Sequence, residues 1–225
     1  MNHPTALTIL HDDVVVCRRC PRLVEYRERI GLQKRRAYLD CAYWARPVPG
    51  FGDPGARVLA LGLAPGAHGS NRTGRPFTGD ASGNFMYPIL HRLGFASQPT
   101  ATGLHDGLQL HDLWITAAVR CAPPDNKPLP SELANCAAFT RRELAALPNL
   151  KVVVALGRFA FDAYLDLAPV RKSSYPFAHA AEYRLPGAIT LLASYHPSNQ
   201  NTATGRLTVP MLEAVFARAR QLASE

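Results

Sequence analysis

The chain has 225 residues, with 25 lysines and arginines against 17 aspartates and glutamates, a formal net charge of +8. That length suits one α/β domain or two small ones, and no apolar run approaches the roughly 20 residues of a membrane-spanning helix, which excludes an integral helical anchor. Arginine carries most of the positive charge, since the only lysines are Lys34, Lys127, Lys151 and Lys172. A basic surface of this kind suits a polyanionic partner, with an ordinary basic protein as the alternative.

From the N-terminus, Met1-Asn2-His3-Pro4 lacks the basic stretch and apolar core of a secretory leader. An odd cysteine count also argues against a secreted disulfide framework. Both predict a soluble, cytoplasmic protein whose thiols stay reduced and free to bind metal. Residues Thr5–Val16 read as a short helix leading into Cys17-Arg18-Arg19-Cys20, a tight chelating pair. A second helix is expected over Leu23–Ile30. Residues 32–56 read as irregular, with the aromatic and proline-rich run Tyr43-Trp44-Ala45-Arg46-Pro47-Val48-Pro49-Gly50-Phe51-Gly52. Cys41 lies in a largely apolar stretch and is expected to be a buried packing thiol, because free cysteine behaves as a small hydrophobe.

Candidate strands follow at Arg57–Leu63, Leu113–Val119, Val152–Leu156 and Ile189–Ala193. They are continuous apolar runs rather than alternating ones, which predicts burial on both faces of a parallel sheet. Helical segments alternate with them, at about Phe85–Leu93, Ser131–Ala146 and Arg158–Leu165, and Leu207–Ala223 closes the chain. The pattern predicts a three-layer α/β/α sandwich around a central four-stranded parallel sheet. No linker or repeat divides the sequence, so residues 1–225 are expected to form a single domain with an N-terminal thiol-bearing segment. Ligands of open α/β sheets bind beyond the carboxyl ends of the strands, where the least core-like loops of this chain fall.

Cys121 and Cys136 bracket a loop containing Pro123, Pro124, Pro128 and Pro130. With Cys17 and Cys20 they make a set of four thiols. Thiolates are soft ligands that select zinc or iron–sulfur centres. Both are held by four cysteines, so spacing leaves the metal open. Such a centre clamps the N-terminus onto the body of the fold. The alternative is a group of structural thiols at chance spacing.

The loop after the first strand runs from Gly62-Leu63-Ala64-Pro65-Gly66 to Gly74-Arg75-Pro76-Phe77-Thr78-Gly79-Asp80. Glycines let the backbone approach a ligand closely. Phe77 is a candidate stacking platform or, alternatively, a core anchor for a long loop. Asp80 precedes a helix and is also a natural N-cap. After the last strand, Tyr195-His196-Pro197-Ser198-Asn199-Gln200-Asn201 is poor core material and favours a site role for His196 over a structural one.

These motifs, in this order, resemble the uracil-DNA glycosylase superfamily, and the cysteine set resembles its iron–sulfur branches, families 4 and 5. Family 4 carries a catalytic glutamate where this chain has Leu63, and a base-reading asparagine where this chain has Ala117. Both departures resemble family 5, the type b enzymes. That resemblance implies a [4Fe–4S] cluster on Cys17, Cys20, Cys121 and Cys136, leaving Cys41 out. It implies catalytic roles for Asp80, His196 and Asn126. It also implies substrate contacts from Gly62, Ala64, Gly66, Phe77, Ser198, Gln200, Asn201 and Arg206, with Leu207 as a wedge in the minor groove. The implied activity is excision of uracil and other deaminated bases from DNA, by a monomer that needs no membrane. A base must leave the stack to be cut, and Phe77 could stack on it while His196 stabilises the departing anion. Two other readings are a catalytically inactive, cluster-bearing DNA-binding member of the same superfamily, and a zinc protein with an unrelated small-molecule cleft.

Overall fold

The computed structural model describes residues 5–225; the leader reading, which rests on Met1–Pro4, lies outside them. The strands are β1 (Phe51–Gly52), β2 (Val58–Gly62), β3 (Leu113–Ala117), β4 (Val152–Leu156), β5 (Glu182–Arg184) and β6 (Thr190–Ser194). They form one sheet in the order β1-β3-β2-β4-β6-β5. The inner four are mutually parallel and every residue in them is buried, as continuous apolar runs require. The two edge strands pair antiparallel. The sheet therefore exceeds the expected four strands. β1 has 2 residues and β5 has 3, all half-buried or exposed, so neither leaves an apolar run in the sequence.

Alternate side chains of the inner strands feed two cores. Val58, Ala60, Ile115, Val154 and Leu192 pack against α4 (Ala81–Arg92) and α8 (Val209–Ser224). Leu59, Leu61, Val153, Leu191 and Ala193 pack against α6 (Arg158–Leu165), through Ala160, Phe161, Tyr164 and Leu165. This is the three-layer arrangement expected. Full burial of one such large apolar side chain contributes roughly 1.5–3 kcal/mol, so the cores dominate the stability of the sheet. Leu207 is 1% exposed and belongs to the first core, which corrects its expected role as a wedge: its side chain is committed to packing.

Three further helices carry the thiols or lie beside them. They are α1 (Ala6–Val15), α2 (Pro21–Gln33) and α5 (Pro130–Ala145). Leu10 and Val14 of α1 pack on Phe139 of α5, and Leu23 of α2 packs with Val119. Cys41 is half-buried near the 3-10 turn Arg36–Tyr38, so the expectation of a fully buried packing thiol fails; its irregular segment has no core to enter. Among the described residues, no helix is long and apolar enough to cross a membrane.

Candidate active site and thiol centre

Beyond the carboxyl ends of β2, β4 and β6 lies a cleft of about 820 Å³. Its lining includes Leu63, Ala64, Gly66, Phe77, Asp80, Ala117, Asn126, His196, Ser198, Asn201 and Arg206. Gly62 and Gln200 are not among the lining residues. Gly62 instead lies against the Phe77 ring, where a Cβ would come 2.8 Å from Cζ, so its smallness lets the ring sit on the end of β2. Phe77 itself has φ of 50°, a left-handed conformation unfavourable for a bulky residue, and the loop holds it there. Its ring is 5.9 Å from that of His196, tilted by 32°.

Asp80 is the N-cap of α4, and its Oδ1 accepts the Gly83 N–H at 3.0 Å. Oδ2 is directed toward Gly66 and Gly69, where a Cβ on Gly69 would collide with it. Burial raises the Asp80 pKa, opposed by the N–H groups of Gly83 and Ser82 and by the positive charge of Arg72. Arg72 braces the loop. Its Nε donates to the His68 carbonyl at 2.9 Å, its Nη2 to the Gly79 carbonyl at 2.8 Å, and its guanidinium lies 4.0 Å from the Tyr38 ring centroid.

Burial pushes the His196 imidazole down to about 4, so it is neutral at physiological pH. Asn201 Nδ2 donates to the His196 carbonyl at 2.9 Å, and Ser198 caps α7 (Asn199–Ala203) by accepting the Asn201 N–H at 3.3 Å. These two side chains fix the turn that presents His196. Arg206 is exposed, with its guanidinium 4.8 Å from the Tyr195 ring centroid. Asn126 reaches the cleft from the 3-10 turn Pro124–Asn126, where Asp125 and Asn126 both have positive φ. The sequence reading missed His68, which lines the same cleft; its Nδ1 is 2.9 Å from the Tyr43 hydroxyl. A histidine inside a glycine-rich loop was the available signal.

The four predicted thiols converge. Cys17, Cys20, Cys121 and Cys136 line one small hollow with Leu23, Arg120 and Phe139. Among the described residues, no three or more His, Cys, Asp or Glu side chains stand at the spacing of a bound metal ion. Arg27, 2% exposed, donates to Cys121 Sγ at 2.9 Å and to the Cys17 carbonyl at 3.3 Å, while its Nε has no partner. Asn135 Nδ2 lies 3.4 Å from Cys20 Sγ. The carboxylate nearest to Arg27, that of Glu28, is 3.8 Å away and 41% exposed, so a buried cation beside four thiols still suits an anionic group on the thiol side. Arg22 ties α2 to α5 through Glu132, at 2.7 and 2.8 Å.

The sequence pattern of the Uracil DNA glycosylase superfamily matches residues 49–220. The chain is 58% identical over 210 residues to the "Type-5 uracil-DNA glycosylase" of Thermus thermophilus, covering 93% of this chain and 95% of that one. It is 47% identical over 212 residues to that of Mycobacterium bovis, covering 93% and 79%. With that of Pyrobaculum aerophilum it shares 45% over 206 residues, covering 92% and 88%. The chain belongs to the uracil-DNA glycosylase superfamily, in its type-5 branch. Leu63 and Ala117 at this cleft are apolar, and among the described residues Asp80 is the one carboxylate lining it.

Proposed function

We propose that this chain removes uracil, and with it other deaminated bases, from DNA by hydrolysing the N-glycosidic bond to leave an abasic site. The observation that carries this reading is the convergence of Asp80, Phe77 and His196 on one cleft. The flipped base stacks on Phe77, an interaction worth roughly 1–3 kcal/mol. As the bond from C1′ to the base breaks, its electron pair leaves with the base. Neutral His196 donates a hydrogen bond to the uracil O2, where negative charge grows. Asp80 Oδ2 stabilises the cationic sugar and, with the Asn126 amide, orients a water that adds to C1′; the proton this water loses neutralises the departed base anion. The absence of a polar edge reader at Ala117 suits a pocket that accepts several deaminated bases. Gly66 and Ala64 let the backbone approach the base, and Ser198, Gln200, Asn201 and Arg206 serve the DNA side of the turn.

In this reading residues 1–225 work as one domain, acting as a monomer in the cytoplasm, and Cys17, Cys20, Cys121 and Cys136 hold a [4Fe–4S] cluster. The cluster supplies structural cross-linking, not acid–base chemistry. Arg27 offsets its charge. Purified protein should be brown, with iron and acid-labile sulfide in equal amounts; a colourless protein holding stoichiometric zinc contradicts this part. Abasic-site formation on a uracil-containing duplex tests the activity.

A further inference from the structure

From its placement at the cleft, we infer that Phe159 is the side chain that enters the DNA base stack when the target base swings out; this rests on the glycosylase reading. Among the described residues Phe159 is the only exposed phenylalanine, tyrosine or tryptophan, 69% exposed, while the others are buried or half-buried. An aromatic ring left in water forgoes the favourable burial that such a ring normally finds. Phe159 does so at one particular place, the rim of the cleft that also contains Phe77, Asp80 and His196.

Its mounting is rigid. Gly157, with φ of 95°, turns the chain out of β4, and its N–H donates to the Ser194 carbonyl at 2.7 Å, so the turn is bonded to the strand that leads into His196. The following residues, Ala160 and Phe161, are fully buried and anchor α6 in the core. Phe159 therefore projects from a fixed base rather than from a mobile loop. Next to it, Arg158 lines the cleft with its side chain 65% exposed, its Nε 3.0 Å from Asp162 Oδ2, within reach of a flanking phosphate. Leu207, the apolar residue the sequence offered for insertion, is 1% exposed and packed in the core.

Apolar side chains inserted between base steps unstack them, and flipping is easiest for a base that is already unpaired. Phe159 thus matters most where the uracil must be pulled from a stable pair. The test compares wild type with Phe159→Ala and Phe159→Trp in single-turnover excision. One substrate carries uracil paired with adenine; the other carries it in a bubble of unpaired bases. Phe159→Ala should slow the paired substrate by at least about fivefold, the lower end expected for loss of one base–aromatic stack. It should slow the bubble less than about twofold, and Phe159→Trp should retain the wild-type pattern. Equal slowing on both substrates, or none on the paired one, overturns the inference. A second arm needs no bond cleavage. A duplex with 2-aminopurine beside a non-hydrolysable 2′-fluoro uridine should brighten on binding wild type and stay dim with Phe159→Ala. No brightening with wild type also overturns the inference, whereas brightening on this duplex together with no uracil release by wild type from the two hydrolysable substrates defeats the glycosylase reading alone.

Discussion

The two carboxylate oxygens of Asp80 have different surroundings. Oδ1 accepts the Gly83 N–H, and Oδ2 faces the glycines of the cleft. Capping α4 and serving the reaction are therefore compatible, and the cap aims the free oxygen. Gly69→Ala should push Oδ2 aside and lower the excision rate about 100-fold, since misplacement by about 1 Å has effects of that size. An unchanged rate in a crystal-verified Gly69→Ala variant would show that the aim of Oδ2 is irrelevant. The pH profile follows from the same residues. The proposed reaction needs Asp80 ionised, and burial raises its pKa, so activity should be lost as pH falls through that raised value. His196, at about 4, stays neutral above that pH. The rate should show an acid limb that disappears in Asp80→Asn. A limb centred near 6.5 would mean that a free imidazole governs the rate. At this scale the sequence was legible where residue type and position left few uses, as for His196 after a strand. Leu207 and Cys41 were misread because burial depends on the packing of distant elements, which a local apolar pattern does not contain.

Elements were legible in proportion to their length and periodicity. β4 and α6 have the predicted bounds, Val152–Leu156 and Arg158–Leu165, since continuous apolar runs and an amphipathic turn mark them. The edge strands β1 and β5 were not visible, because such short segments are defined by their partners β3 and β6 rather than by their own residues. The convergence of α1, α2 and α5 brings thiols so far apart in sequence to one hollow. Removing one should loosen all three helices. Cys17→Ala is expected to lower the melting temperature and the iron content together, while leaving the relative rates on different damaged bases unchanged. A colourless Cys17→Ala protein with wild-type melting would show that the centre does not hold these helices. α2 also brings Arg27 and Arg22 to the thiols and to Glu132, a second tie that the spacing of the cysteines did not reveal.

At the scale of the molecule, a net charge of +8 carried mostly by arginine confronts a polyanion. Exposed Arg158 and Arg206 line the cleft, and Arg35 joins them. Duplex affinity should fall with salt, with a slope of log K against log salt of about −0.9 for each phosphate contacted. A slope near zero would remove the electrostatic account of DNA binding. The cleft carries the central proposal, that Asp80 is the acidic group on which base excision depends. The most direct test is single-turnover release of uracil from a duplex by wild type and Asp80→Asn. Asparagine caps a helix about as well as aspartate, so the fold and DNA binding should be preserved. The account predicts a rate loss of about 10²–10⁴-fold; a loss smaller than about threefold, far below the range for such roles, would return Asp80 to helix capping alone and contradict it.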